Sequence, residues 1–148
     1  MSKLRHVLLL VVAVSILAGG LTGCSGAAHE PEHELAMASL DGMPAYVHSA
    51  PVTVQQAYRF AAANPEILQH LPCYCGCGAM GHTSNYDCYI AHVDANGAVT
   101  FDPHALGCSI CVDITQDAMR MMRQGQGVQA IRAFIDNTYS RYGPSNMP

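Results

Sequence analysis

Two stretches near the C-terminus repeat apolar and small residues at the spacing of packed helices. In residues 108–123 and again in residues 128–142, these positions step by three, four, three and four. They are Cys108, Cys111, Thr115, Ala118 and Met122 in the first stretch, and Val128, Ile131, Ile135, Thr138 and Tyr142 in the second. The connection "GQG" is short, so the pattern predicts an antiparallel helix pair.

A further helix is predicted upstream, with Thr53 as its N-cap residue. Small and apolar residues share one helical face over residues 54–62. The helix should end at Asn64-Pro65, because the residue before proline avoids helical geometry. A short second turn is then expected over residues 66–69, before the chain enters a cysteine-rich stretch.

Two local patterns describe the middle of the chain. Ser84 and Asp87 have the spacing of a capping box, which indicates a short helix carrying Cys88. Beyond it, Asn96-Gly97 between alternating residues is a strong hairpin signal. The sequence therefore predicts a mainly α fold class: a small helical bundle with a C-terminal antiparallel helix pair, a Cys-rich loop and a short β-hairpin.

The N-terminus has the pattern of a secretory signal peptide. Lys3 and Arg5 precede an apolar core over residues 7–18, which is too short to span a membrane. The segment ends in Leu21-Thr22-Gly23-Cys24, which resembles the lipobox of bacterial lipoproteins. This resemblance implies cleavage before Cys24 and acylation of Cys24, for example with palmitate. The protein would then be lipid-anchored at the cell membrane, on its extracytoplasmic face.

The signals divide the chain into three predicted parts. Residues 1–23 are the signal peptide, residues 24–50 a flexible tether rich in small and polar residues, and residues 51–148 the Cys-rich domain. The whole chain has 7 basic and 11 acidic residues, a formal net charge of −4. Loss of the signal peptide removes two basic residues, and an acidic domain argues against nucleic acid as a partner.

Six cysteines fall within the predicted domain. Three alternate in "CYCGC", one lies on the predicted short helix, and two lie three apart at the start of a helix, where their thiols share the inward face. Alternate residues of an extended segment also share one side. Convergent thiolates suit soft metals such as Cu(I), Zn(II) or an iron–sulfur cluster, and six of them exceed one tetrahedral site.

Three histidines are near these cysteines in sequence: His82, His92 and His104. His104 is the best candidate for an imidazole ligand, because it lies four residues before Cys108. The predicted metal site, with copper or zinc as the bound ion, therefore contains Cys73, Cys75, Cys77, Cys88, Cys108, Cys111 and His104.

Two other interpretations of the cysteines stay open. An even number of thiols in an oxidising compartment is typical of a disulfide framework, although three crowded thiols invite mispairing and strain. The C-x-x-C of Cys108 and Cys111 at a helix start also suits thiol–disulfide exchange. No haem-attachment, zinc-protease or phosphate-loop motif is present, and no acid/base pair stands out, which favours a binding protein over an enzyme.

The same residues carry a family resemblance. "LPCYCGCG", "GHTSNYDCYI" and "HALGCSICVDI" resemble the PCYCGC-motif (lipo)proteins of bacteria, over residues 52–142. All six domain cysteines match that pattern. The family has no established biochemical activity, so the resemblance implies an architecture and a cysteine set.

Together these observations favour a membrane-anchored, extracytoplasmic lipoprotein that binds a soft metal ion, copper before zinc, through its six-cysteine cluster. Sequestration, delivery or resistance would be its role, with an envelope metal-handling or thiol-redox protein as a possible partner. The alternative is a disulfide-stapled binding module or a thiol–disulfide redox partner.

Overall fold

The computed structural model of the protein describes residues 32–147. Within that range the chain forms five α-helices and one two-stranded antiparallel sheet. They are α1 (Ala45–His48), α2 (Val52–Ala63), α3 (Pro65–Leu68), β1 (Ile90–Val93), β2 (Val99–Phe101), α4 (Ser109–Arg123) and α5 (Val128–Tyr139). Short 3-10 turns occupy Leu40–Gly42, Cys77–Met80, Tyr86–Cys88, His104–Leu106 and Ser140–Tyr142. The predicted mainly α fold class with a small hairpin is confirmed.

The helix α2 begins slightly earlier than its sequence predicts. Pro51, and not Thr53, is the N-cap residue, and its φ of −54° suits the entry to a helix. The end of α2 is as expected: Asn64 leaves helical geometry directly before Pro65. The buried Asn64 amide donates to the carbonyl oxygens of Phe60 and Ala36, at 2.8 and 2.9 Å. Asn64 therefore ends the helix and holds an upstream segment at the same time.

The helices α4 and α5 form the predicted antiparallel pair. Arg120 lies over the ring of Phe134, and the Tyr139 hydroxyl donates to Asp117, so contacts move backward along α4 as they move forward along α5. Gly125, at a φ of +75°, makes the reversal after α4. The sequence places Tyr142 on the seam, but Tyr142 is 52% exposed. Because α5 ends at Tyr139, that buried residue closes the seam instead.

The core lies where α2 packs against α4 and the base of the hairpin. Tyr58 of α2 and Tyr89, next to β1, are both fully buried, with ring centroids 5.1 Å apart in an edge-to-face arrangement. Ile114 of α4 is also fully buried. This aromatic and aliphatic core fixes the start of α4 relative to the chain that precedes β1, and that is where the cysteines lie.

The hairpin has the predicted turn. Strands β1 and β2 pair antiparallel, with Val93 opposite Val99 and Ile90 opposite Phe101. Gly97 adopts a φ of +84°, a conformation that glycine reaches without steric cost. The outer part of the hairpin is exposed, whereas Ile90 at its base is buried. The hairpin thus returns the chain to the core before α4.

The described part of the predicted tether is folded, which corrects the tether boundary. Val47 of α1 is fully buried. The backbone N–H of Ala38 donates to the Arg59 carbonyl at 3.1 Å, and the Arg59 guanidinium donates back to the Ala38 carbonyl at 2.7 Å. Residues 32–50 therefore belong to the domain. The rest of the tether, the signal peptide and Cys24 lie outside the described residues.

Among residues 32–147, no helix combines the length and apolar character that a membrane-spanning helix needs.

A valine truncation tests the corrected boundary. Val47→Ala removes two buried methyl groups and should lower the free energy of unfolding by about 1.5–3 kcal/mol, since lost burial and a residual cavity both contribute. Urea unfolding of the full chain, followed by circular dichroism, measures this. The matched control is Val52→Ala, because Val52 is 67% exposed and its truncation should change stability by less than about 0.5 kcal/mol. Equal effects of the two substitutions would contradict the corrected boundary.

Candidate metal centre

The start of the cysteine-rich loop is fixed by hydrogen bonds to two later parts of the chain. Fully buried Leu71 enters it, and the Leu71 carbonyl accepts from the Asn85 N–H at 2.7 Å. The Cys73 N–H donates to the Asn146 side-chain oxygen at 2.6 Å, and the Asn146 N–H donates to the Cys73 carbonyl at 3.0 Å. The Asn146 amide also donates to the Ser84 carbonyl at 3.0 Å. One residue near the end of the described chain thus clamps the start of the loop.

The three alternating thiols converge through a turn. Only the first part of the loop is extended; Gly76 then adopts a left-handed conformation, with a φ of +85°, and a 3-10 turn begins at Cys77. An extended strand would have spread the thiols along one side. The turn instead brings the sulfurs of Cys73, Cys75 and Cys77 within 4.8 Å of one another. The predicted convergence is present, but glycine geometry produces it.

The start of α4 supplies two more thiols. Cys108 is the N-cap residue, Cys111 lies in the first turn, and their sulfurs are 3.2 Å apart. Cys88 ends the 3-10 turn Tyr86–Cys88. The Asp87 carboxylate holds that turn by accepting from the backbone N–H of Ser84 at 3.1 Å, which is half of the predicted capping box.

The sulfur of Cys111 lies at the centre of the cluster. It is 3.2 Å from Cys73, 3.3 Å from Cys88 and 3.5 Å from Cys75, in addition to its contact with Cys108. Cys77 joins through Cys88, at 3.8 Å. All six thiols in the described residues are free, since these separations far exceed the roughly 2.05 Å of a disulfide. All six cysteines predicted as ligands thus share one contiguous cluster.

The separations fit a shared metal ion. Two sulfurs bound to one tetrahedral ion, with metal–sulfur bonds of about 2.3 Å, lie about 3.8 Å apart. The observed sulfur–sulfur distances of 3.2 to 3.8 Å are at or just below this value. The cluster could therefore take an ion with small outward movements of the thiols.

The three histidines differ in their positions. His104, as predicted, lies at the cluster, with its Nε2 atom 3.5 Å from the Cys75 sulfur. His82 is buried and stacks edge-to-face on His104, with ring centroids 5.1 Å apart. His92 is exposed on β1, 3.0 Å from Asp94, and belongs to no ligand group among the described residues.

The ligand atoms form overlapping groups, two of which have four members, with the members of each group within 4.8 Å of one another. The group at the start of α4 is rich in sulfur, and the group around Cys77 mixes sulfur and imidazole. The first contains Cys75, His104, Cys108 and Cys111; the second contains Cys77, His82, Cys88 and His104. We call them the thiolate group and the mixed group. A third set, Cys73 with Cys88 and Cys111, joins one to the other.

Hydrogen bonding and burial shift the pKa values of the thiols in different directions. Hydrogen bonds from Cys111, and then Cys88, lower the pKa of Cys73 to about 2. Burial raises the pKa of Cys75, and hydrogen bonding within the cluster raises the pKa of Cys88 and of Cys111. A hydrogen bond with Cys88 lowers the pKa of Cys77 to about 7. The neutral neighbours thus stabilise a thiolate at Cys73, and a cation entering the cluster would displace their protons.

A polar network fixes the backbone of Cys111. Its carbonyl oxygen accepts from the Tyr89 hydroxyl at 2.9 Å and from the Asn85 amide at 3.3 Å. The Thr115 hydroxyl donates to the Asn85 side-chain oxygen at 2.7 Å. Tyr89, Asn85 and Thr115 are fully buried, and burial keeps the pKa of Tyr89 well above its usual value, so its hydroxyl stays protonated. Such outer contacts hold a ligand in place.

One edge of the cluster is open. Cys75, His104 and Cys108 are half-buried, whereas Cys73, Cys77, Cys88 and Cys111 are buried. The open edge therefore contains three of the four members of the thiolate group.

Several supporting residues have no sequence signal that marks them as part of the site. Asn85 and Thr115 read as ordinary polar residues of a turn and a helix, and Asn146 lies far along the chain. Asp102 lies two residues before His104, and this proximity could have indicated a partner for a histidine.

A family model described as a protein of unknown function with PCYCGC motif matches residues 11–148. No curated protein and no solved structure matches the chain.

The clamp formed by Asn146 is testable through thiol reactivity. Asn146→Ala removes the side-chain contacts to Cys73 and Ser84, whose loss should cost about 1–2 kcal/mol and raise the open population of the loop by about 5–30-fold. Alkylation of Cys73 and Cys77 by iodoacetamide in the reduced full chain should accelerate accordingly, as measured by peptide mass spectrometry. Asn137→Ala on the exposed face of α5 is the control. The clamp is refuted if the two variants react at the same rate.

Proposed function

We propose that this chain, which belongs to the PCYCGC-motif family of proteins of unknown function, is a membrane-anchored, extracytoplasmic lipoprotein that binds a soft metal ion through its cysteine cluster. Copper is the first choice of ion and zinc the second. The role would be sequestration, delivery or resistance at the cell envelope.

The contiguity of the six thiols carries the proposal. A disulfide framework would place them as three separate pairs, whereas here one sulfur, that of Cys111, lies within 3.5 Å of four others. Thiolates gathered at such distances match the ligand sets of soft metal ions.

The donor types favour copper or zinc. Sulfur ligands select Cu(I) and Zn(II), and imidazole suits both metals, so His104 is compatible with either. At comparable sites, affinity for copper generally exceeds affinity for zinc, which places copper first. Hard cations such as Mg²⁺ and Ca²⁺ prefer oxygen ligands, which the cluster does not offer.

The open edge supports a role in transfer. The half-buried residues Cys75, His104 and Cys108 can meet a ligand from another protein while the buried thiols still hold the ion. Exchange of one ligand at a time would permit delivery to an envelope metal-handling or thiol-redox protein. A fully enclosed cluster would suit storage alone.

The anchor is proposed from the N-terminal sequence. Cys24 follows a Leu-Thr-Gly sequence at the end of an apolar segment, as in a lipobox. Two or more acyl chains on one residue give stable attachment to a bilayer, which a single chain does not. Attachment by lipid would keep the metal-binding domain at the extracytoplasmic face of the cell membrane.

Metal content and thiol count test the binding function together. The full chain, purified in detergent under reducing and anaerobic conditions, should contain stoichiometric copper or zinc by elemental analysis. All six domain thiols should be titratable in denaturant without further reduction. Cys111→Ser removes the central sulfur and should lower metal affinity more than about tenfold, whereas Ser109→Ala, at an exposed position of the same helix, should not.

Two other results would contradict the metal function. Three disulfides and no metal in the purified chain would exclude the metal function and support the stapled module. A reversible disulfide between Cys108 and Cys111, with the other thiols free and no metal, would support thiol–disulfide exchange instead.

Lipid attachment is tested at Cys24. In a bacterial host supplied with labelled palmitate, the wild-type chain should carry label and sediment with membranes, and Cys24→Ser should do neither. Cys108→Ser is the matched control, since it changes a cysteine of the domain and should leave the label unchanged. Equal labelling of the wild type and Cys24→Ser would rule out this anchor.

A further inference from the structure

We propose that the cluster holds two metal ions, and that the mixed group of Cys77, His82, Cys88 and His104 forms the second site. This inference rests on the proposed soft-metal function and adds a stoichiometry and a new ligand, His82. The first ion would occupy the thiolate group at the start of α4.

The number of donors exceeds the needs of one ion. A tetrahedral ion takes four ligands, and the cluster offers six thiols and two imidazoles. Three donors belong to the thiolate group alone and three to the mixed group alone, with His104 within reach of both. Each group keeps three donors of its own, and His104 and Cys73, which lie near both groups, bring the total to the eight donors that two tetrahedral ions need.

His82 has a nitrogen that lacks a partner. The residue is 8% exposed, and its Nδ1 atom is the one buried side-chain nitrogen or oxygen among the described residues without a hydrogen bond. A buried polar atom left unpaired destabilises the folded state. In the mixed group, a metal ion beside the sulfurs of Cys77 and Cys88 supplies the missing partner.

The Asp102 carboxylate lies next to the Nε2 atom of His82. One carboxylate oxygen lies 3.6 Å from His82 Nε2, and the other accepts from the backbone N–H of His104 at 2.7 Å. The backbone of Asp102 is itself fixed, since its carbonyl accepts from the Tyr58 hydroxyl at 2.6 Å. A carboxylate behind a histidine is the usual arrangement for a metal-binding imidazole, and it leaves the far nitrogen free to coordinate.

The sulfur pair of the mixed group has the right spacing. Cys77 and Cys88 are 3.8 Å apart, which equals the separation of about 3.8 Å for two sulfurs on one tetrahedral ion. The Asn146 amide, 3.5 Å from the Cys77 sulfur, points a donor at this thiolate. Two sulfurs and two imidazole nitrogens form a donor set that suits Zn(II).

Cys73 can connect the two ions. Its sulfur lies within 4.8 Å of Cys88 in the mixed group and of Cys111 in the thiolate group. A thiolate between two cations neutralises charge on both sides, which reduces the repulsion between neighbouring ions.

Zinc titration of the reduced full chain in detergent tests the second site, because Zn(II) does not oxidise thiols. The wild type should bind two equivalents. His82→Gln should bind one equivalent with unchanged affinity and the second at least tenfold more weakly. His92→Gln is the matched control: it changes the other histidine that faces an aspartate, outside the cluster, and should bind two.

A second variant keeps the test decisive if His82→Gln fails to fold. Asp102→Asn retains an acceptor for the His104 N–H but weakens the hold on His82, and should reduce affinity for the second zinc by about 10–100-fold. With both sites filled by excess zinc, X-ray absorption at the zinc edge should show fewer nitrogen neighbours per zinc in His82→Gln than in the wild type.

The outcomes separate the two proposals. One equivalent in the wild type, or two equivalents of unchanged affinity in both variants, would overturn the second site and leave the metal function intact. No zinc and no copper bound to the wild type would overturn the metal function itself.

Discussion

The site depends on how the first turn of α4 is held. Cys111 lies there with its sulfur among four other thiols, and its carbonyl oxygen is fixed by Tyr89 and Asn85. Four N–H groups at a helix start lack intrahelical partners and favour negative charge nearby. The start of α4 therefore stabilises thiolates in the cluster that it carries. The loop, the 3-10 turn of Cys88 and the turn of His104 are all arranged around that one helical turn.

The core and the site share residues. Tyr58 packs on Tyr89 in the core, donates to the carbonyl of Asp102, and so reaches the residue that faces His82. Tyr89 packs on Tyr58 and also donates to Cys111. Because the same two tyrosines serve both purposes, loosening the core would also loosen the ligands. Conversely, an ion bound to the cluster would stabilise the folded domain, since the unfolded chain cannot present the same donors together.

Much of the fold is readable from local sequence. The helical spacing of apolar residues predicts the seam positions of α4 and α5, and Asn96-Gly97 predicts the hairpin. The six cysteines are visible as candidate ligands by type and number. Contacts between distant parts of the chain leave no local pattern in the sequence. The stretch "AYVH" is too short to show a helical period, so the sequence does not predict that Val47 is buried. Nor does it predict the pairing of His82 with Asp102 or the clamp by Asn146. Gly76 and Gly81, on either side of the turn Cys77–Met80, adopt left-handed φ angles that redirect the chain there.

The clamp by Asn146 carries a consequence for biosynthesis. Asn146 meets Cys73 across 73 positions of sequence. Because a chain is made from its N-terminus, the thiols of the loop emerge well before the residue that encloses them. Throughout that interval they are exposed to oxidants and to passing metal ions without the protection of the finished site. The order of synthesis thus sets a period in which the cysteines must stay reduced, until Asn146, made 73 positions after Cys73, encloses the loop.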